Sequence, residues 1–271
     1  MKRLTVTLLA LTLVAASAEA DVTIKMSRTD LTEEKPTPQS GTTLLTGNKM
    51  ASIWAPLEGR KDAGDDSHLI YRGDKQTIWV IKDSDKSYME MTKASIDAMG
   101  QKLDGAMAQM KAELEKMPPE QRKMMEAQMK SMTGMSDEKP QRVAKKTGET
   151  KTINGFPCVK YTVHVGEQLN SEVWATPMNK FGLSKADMQV LMDMAKMFES
   201  ITARFKSQGA SGVMNPDGID GVPVLTTTFD EEGKPTGVME FQSVAHGAVD
   251  AAQFEVPAGY KLKDPMGDKK K

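Results

Sequence analysis

One cysteine in 271 residues leaves no partner for an internal disulfide, so the fold must be held by packing even in an oxidising compartment. An excess of either charge is also missing. The chain has 36 Lys and Arg against 37 Asp and Glu, a formal net charge of −1, which gives no electrostatic case for nucleic acid or an anionic membrane as partner. Aromatic residues are scarce, at 5%. No Gly-x-Ser-x-Gly, His-Glu-x-x-His or phosphate-binding glycine loop occurs, which removes the common hydrolase, zinc-protease and nucleotide-binding signatures. A membrane-spanning run is lacking as well. The apolar stretch Leu4 to Ala16 is shorter than the roughly 20 residues a transmembrane helix needs, and no later stretch is apolar enough.

What stands around that stretch gives it a different meaning. Lys2 and Arg3 precede it and Ala18-Glu19-Ala20, a small-x-small pattern, follows, so residues 1–20 read as a signal peptide cleaved between Ala20 and Asp21. The expected destination is the periplasm or the exterior. Removing Lys2, Arg3 and Glu19 with the leader takes the net charge to −2 and leaves 251 residues, read as one domain over 21–264 with a disordered basic tail over 265–271. The sole cysteine, Cys158, is far from the new N-terminus, so no lipid anchor of the cysteine-linked kind is expected.

Alternation of apolar and polar residues marks the strands. Val22 to Met26 alternates and Pro36 and Pro38 close it in a loop; Thr42 to Leu45, Gly47-Asn48 and Lys49 to Trp54 read as a hairpin. Thr77 to Ile81, apolar on both faces and therefore expected to be central, pairs with Ser87 to Met91 across an acidic turn. Arg142 to Lys146, Thr150 to Ile153, the turn Asn154-Gly155 and Val159 to Val165 continue the pattern, followed by Glu172 to Ala175. In the long strand, Val159, Tyr161, Val163 and Val165 share one face, and Cys158, Lys160, Thr162 and His164 the other. Val222 to Phe229 and Gly237 to Val244 form a last hairpin.

Two segments change period. Ile96, Met99, Leu103, Met107, Met110, Leu114 and Met117 recur every three or four residues, the stripe of a helix. Pro118-Pro119 stops it and starts a second helix striped by Met125, Met129 and Met132, giving a methionine-lined hairpin insertion over 94–134. Ser184-Lys185-Ala186-Asp187 resembles a capping box and opens a second helical insertion over 184–207, carrying Met188, Leu191, Met194, Phe198, Ile201 and Phe205. Antiparallel hairpins interrupted by helices, without βαβ alternation, predict an α+β fold.

Several stretches carry a family resemblance: Gly47-Asn48-Lys49-Met50, Ile78 to Ile81, Gly155 to Tyr161, Glu172 to Ala175 and the ending Asp250 to Tyr260. They resemble an exported bacterial domain-of-unknown-function family, itself similar to the periplasmic lipoprotein carriers and receptors of the LolA/LolB type. The resemblance implies a curved antiparallel sheet, an incomplete β-barrel, whose concave apolar face is lidded by the inserted helices and holds acyl chains. It supplies no catalytic residues and no cofactor.

The methionines, 22 of them, decide how the helices are read. Flexible thioethers suit cores, lids and surfaces that accept varied greasy ligands. The expected lining of such a site is Trp54, Trp79, Met99, Leu103, Met107, Met110, Met125, Met129, Leu191, Met194 and Phe198, with a lipid, acyl chain or lipoprotein as ligand. Two alternatives stay open: Cu(I) held by thioether sulfurs of Met107 with Met110 or of Met125, Met129 and Met132, and methionine helices that dock a protein partner. An enzyme is not expected. Cys158 and His164 lie about 20 Å apart along one strand, too far for a thiolate–imidazolium pair. Asp83-Ser84-Asp85 begins like a calcium loop, but Tyr88 and Ala94 occupy the positions that need glycine and glutamate.

Overall fold

Where apolar residues alternate along the sequence, the chain forms strands. The computed structural model describes residues 21–55, 67–125, 142–198 and 218–263. The expected leader over residues 1–20, Met129 and Met132, Ile201 and Phe205, and the expected basic tail lie outside the described residues. The N-terminal run makes β1 (Val22–Asp30), β2 (Gln39–Thr46), β3 (Lys49–Trp54), β4 (Ser67–Arg72), β5 (Thr77–Lys82) and β6 (Ser87–Thr92), then α1 (Lys93–Glu115). Further along come β7 (Arg142–Ile153), β8 (Phe156–Val165), β9 (Gln168–Thr176), the short α2 (Met178–Phe181) and α3 (Lys185–Met197). β10 (Val222–Phe229), β11 (Pro235–His246) and β12 (Lys261–Lys263) complete the order. No helix among the described residues is long and apolar enough to cross a membrane.

Tight turns fix the hairpins. Asn154 and Gly155, at φ 51° and 86°, take the left-handed pair that a two-residue hairpin turn requires, which is why an Asn-Gly dipeptide joins β7 to β8. Among the described residues, twelve strands form one sheet, ordered β12-β6-β5-β4-β3-β2-β1-β11-β10-β9-β8-β7. Neighbours are antiparallel except β12, which lies parallel to β6. Its centre is a non-local pairing: β1 is hydrogen-bonded to β2 on one side and to β11 on the other. The two end strands, β12 and β7, do not pair with each other, so the sheet these strands make is not closed into a barrel. β7 guards its open edge with exposed Lys145, Lys146 and Lys151, side chains that oppose edge-to-edge association.

The sheet is strongly curved. The Asn154 amide donates to the Glu240 carboxylate at 2.8 Å and to the Phe241 carbonyl at 2.9 Å, although the β8 edge and β11 are three strands apart, about 14 Å in a flat sheet. Bulges at Gln242 in β11, opposite Lys25/Met26, and at Val224 in β10 supply local bends.

Both faces of the β2–β5 half are covered, and the covers differ. On the concave side Val22, Ile24, Met26, Leu45, Met50, Tyr71 and Ile78 pack with Ile96 of α1 and with Val190 and Met197 of α3. α3 begins with the expected capping box: the Asp187 N–H donates to Ser184 Oγ and the Ser184 N–H to the Asp187 carboxylate. On the convex side Leu44, Ala51, Ile70, Trp79 and Ile81 pack under Phe254, Val249, Val256 and Tyr260, which belong to a C-terminal strap. Arg72 pins that strap, reaching the Asp74 and Glu255 carboxylates and the Phe254 carbonyl.

The α+β expectation holds in outline, but strands dominate, and among the described residues α1 covers less of the concave side than the sequence suggests. α1 enters the concave core only at Ile96 among its described core residues. Met99 and Met110 are 44% and 39% exposed. The 3.6-residue period shows which side chains share a helix face; it does not show what, if anything, covers that face.

Candidate functional site

A cavity of about 1160 Å³ opens in the concave side of the sheet. Its walls reach from Met50 and Ser52 on β3 to Arg142 on β7. Those strands are seven positions apart, roughly 34 Å in a flat sheet at about 4.8 Å per strand, so the curvature makes the cavity. α3 forms its helical wall with Leu191 and Met194.

Charge is sorted along the strand direction, although Thr43 and Ser52 stand at the uncharged end and Val163, Val238 and Met239 at the charged one. At one end stand Ile24, Met50, Leu191, Met194, Val222 and Phe241. Moving along β1 past Met26, the inward positions become Arg28 and Asp30, and all four charged lining residues, Arg28, Asp30, Glu33 and Arg142, lie at this second end. The register explains the clustering. Asp30 pairs with Gly237, Gly237 with Thr228, Thr228 with Ser171 and Ser171 with Val163, while Arg142 pairs with Val165, so the end of β1, the start of β11, the end of β10, the start of β9, the end of β8 and the start of β7 come together. Hydroxyls fill the interval: Thr228 and Thr236 lie 3.1 Å apart, and Ser171 is buried in the wall.

The charged end is organised by buried Gln39. Its side-chain N–H donates to the Ala55 carbonyl and its oxygen accepts from Arg28 Nε at 2.5 Å. The Arg28 guanidinium also lies 4.5 Å from the Trp54 ring centre, a cation–π contact. Trp54 in turn stands over Gly41, where a Cβ would come within 2.8 Å of its ring. A glycine is needed there for the ring to lie flat on the wall.

Of the residues expected to line a ligand site, Leu191 and Met194 border this cavity. Trp54 and Phe198 pack partly buried against the same concave cluster. Trp79 lies on the convex side, in the cluster under the strap, with its indole N–H donating to Glu90 at 2.8 Å. Because β5 is apolar on both faces, its sequence could not say which of Ile78 and Trp79 points inward. Leu103 and Met107 are half-buried on α1, Met99, Met110 and Met125 are exposed, and none of the five borders the cavity. Met129 is outside the described residues. The charged end escaped the sequence reading. Its signal was the break in β1, where Arg28 and Asp30 replace apolar residues at positions continuing the Val22-Ile24-Met26 face.

Cys158 is buried, its thiol donating to the Phe156 carbonyl at 3.3 Å, and burial pushes the thiol up in pKa, away from thiolate chemistry. The neighbouring cluster joins Phe156, Phe181 and Phe241 ring to ring. His164 lies on the same strand with its Nδ1 buried and unpartnered.

Comparison with known proteins gives a family and several distant folds. A family profile described as Domain of unknown function (DUF4412) matches residues 72–260. No curated protein matches the chain. Among solved structures, an uncharacterized conserved protein from Thermus thermophilus aligns over 91% of both chains at 6% identity, with a TM-score of 0.43. The Pseudomonas aeruginosa MucA/MucB complex aligns over 89% of this chain and 57% of that one at 10% identity and TM-score 0.36, so the chain spans little more than half of it. A LolA superfamily protein from Nitrosomonas europaea aligns over 89% and 91% at 8% identity and TM-score 0.27.

Proposed function

This chain belongs to the DUF4412 family of domains of unknown function, and from that starting point we propose that it is a periplasmic, non-catalytic binding module for a small amphiphile. The carrying observation is the cavity's sorted charge: a mainly apolar end and an end that holds all four charged lining residues, within one space of about 1160 Å³. That volume slightly exceeds the roughly 300–1000 Å³ of ordinary ligand pockets, and a mainly apolar wall with a few convergent polar groups is the usual composition of a binding site. A ligand with one or more acyl chains and a polar head matches both ends. The chains displace water from the half-buried Leu191, Met194, Val222 and Phe241, and the head stays at the Arg28 and Asp30 end, where it keeps its hydration or exchanges it for hydrogen bonds. Burial of a chain stabilises the complex by about 0.8 kcal/mol per methylene before association costs are subtracted.

The test is native recovery. The protein is purified from periplasmic extract without detergent, beside a variant carrying Leu191→Glu and Met194→Glu on the α3 wall, and each is extracted for lipid mass spectrometry. The proposal expects stoichiometric amphiphile with the parent and little with the variant, both folded by circular dichroism. Equal recovery from the two, or none from a parent also offered amphiphile in solution, overturns it.

A further inference from the structure

The four charged residues that line the cavity, Arg28, Asp30, Glu33 and Arg142, all have interactions within the protein. What that end leaves uncommitted is neutral. Asn170, Ser171 and Thr226 line the cavity, and their side chains have no hydrogen-bond partner among the described residues. Ser171 is 3% exposed. The register brings the three together: Ser171 and Thr228 are direct partners across β9 and β10, Thr226 pairs with Val173 two residues along, and Asn170 is the extra residue at the β9 bulge beside Ser171. Direct partners lie about 5 Å apart at Cβ and diagonal ones about 7–8 Å, so these side chains share one small area of the wall. Thr228, bonded to Thr236 at 3.1 Å, extends the patch. Thr43 and Ser52, partners across β2 and β3, stand apart from it at the uncharged end.

We infer that the amphiphile held here carries an uncharged, polyhydroxylated head, which exchanges hydrogen bonds with Asn170, Ser171 and Thr226. The inference rests on the amphiphile reading of the same cavity and adds the chemistry of the head. A serine or threonine hydroxyl and an asparagine carboxamide each both donate and accept. So does every hydroxyl of a polyol. Such a head trades its bonds to water one for one, whichever way each group turns, and it satisfies the Ser171 hydroxyl, which an acyl chain laid over it would leave buried without a partner. A charged head gains less. Hydroxyls and amides offer a phosphate or an ammonium only dipoles in exchange for its hydration shell, and the arginines and carboxylates of the cavity are already engaged within the protein. A preference built on neutral hydrogen bonds is also insensitive to salt, unlike one built on charge.

The experiment compares four single-chain compounds of equal alkyl length below their critical micelle concentrations: decyl glucoside, decylglycerol, decylphosphocholine and decyl sulfate. Each displaces a fluorescent fatty acid from the chain running from Asp21 to Lys271. Decyl glucoside is expected to bind about tenfold more tightly than either charged-head compound, the worth of one or two modest hydrogen bonds, and to keep that lead at high salt. An equal lead for decylglycerol supports a polyol head in general; a lead for the glucoside alone narrows it to a glycosyl head. Ser171→Ala combined with Thr226→Val removes two hydroxyls while keeping charge and nearly all volume. In that variant the glucoside should fall to within about twofold of decylphosphocholine, whose own affinity stays at the parent value and reports an intact cavity. If the variant does not fold, the parent's ranking alone decides. If neither polyol compound binds the parent more tightly than the charged-head ones, or a folded variant keeps the parent's ranking, the head assignment is overturned while the amphiphile reading stands. If none of the four displaces the probe, the amphiphile reading falls and the head assignment falls with it.

Discussion

Replacing Arg72 with methionine should detach the C-terminal strap while leaving the concave cavity in place. The Arg72 side chain is 6% exposed, whereas those of its carboxylate partners Asp74 and Glu255 are 37% and 50% exposed. Its Nε and Nη2 donate to the two Asp74 oxygens at 2.8 and 2.6 Å, Nη1 engages Glu255 and the Phe254 carbonyl, and the guanidinium lies 5.8 Å from the Trp79 ring centre. Breaking a fully buried pair costs about 3–5 kcal/mol because a charge is stranded. Here the stranded carboxylates reach water, and methionine retains most of the apolar stem, so the expected loss is about 2 kcal/mol. Against a typical stability of about 5–15 kcal/mol the protein remains folded. Urea unfolding measures the loss, and limited proteolysis should cut first between Val249 and Lys263. The acid limb gives a second, independent signature. Arg72 holds the Asp74 carboxyl down at about 2, mainly through its hydrogen bond. Below the ordinary carboxylate range the unfolded chain takes up a proton that the folded chain does not, so this contribution is complete above about pH 4 and is lost as pH falls toward 2. The methionine variant should lose that slope. A change under about 0.5 kcal/mol with an unaltered acid limb would falsify the assignment of Arg72 as the pin of the strap.

Other perturbations probe other parts of the structure. Gly41→Ala drives a Cβ into the Trp54 ring at 2.8 Å and should destabilise by about 1–3 kcal/mol, with partial rescue by Trp54→Leu in a double-mutant cycle. Ser184→Ala removes the cap of α3 and should cost about 1 kcal/mol, seen as faster amide exchange in the first turn of that helix. Mild peroxide should convert Met99, Met110, Met124 and Met125 to sulfoxide, by peptide mass spectrometry, well before buried Met50 and Met197. Cys158 should resist a thiol reagent in the native protein and react at once in denaturant; rapid native reaction would contradict its burial.

Local structure was legible in the sequence because its causes are local. Alternation located β1 and β8, a continuous apolar run located β5, Asn154-Gly155 announced its hairpin, and the Ser184 to Asp187 box marked the start of α3. The division of β8 into a Tyr161-Val163 face and a Cys158 face also follows from the two-residue period, and these residues pack in separate clusters. What could not be read depends on distant partners. Nothing in β1 names β11 as its neighbour, yet that pairing joins the two halves of the sheet and creates the cavity. β4, a short strand between a polar loop and a turn, drew no assignment, and the strap over Trp79 depends on Phe254 packing far from its sequence neighbours. The methionine stripe of α1 is the strongest periodic signal, yet its described residues do not border the cavity, because an amphipathic helix records a preference for burial and does not name its cover. The charged end of the cavity lies where β1 changes from apolar to charged on one face.

A single spectrum separates the cavity from the methionine helix as the ligand-binding element. With all methionine methyls labelled with carbon-13 and assigned, the chain from Asp21 to Lys271 is titrated with dodecylphosphocholine below its critical micelle concentration. The account predicts that Met26, Met50, Met194 and Met239, which line the cavity, shift in a saturable way while Met99, Met110, Met124 and Met125 stay fixed. Saturable shifts confined to those last four methionines, with the cavity methyls silent, would contradict it.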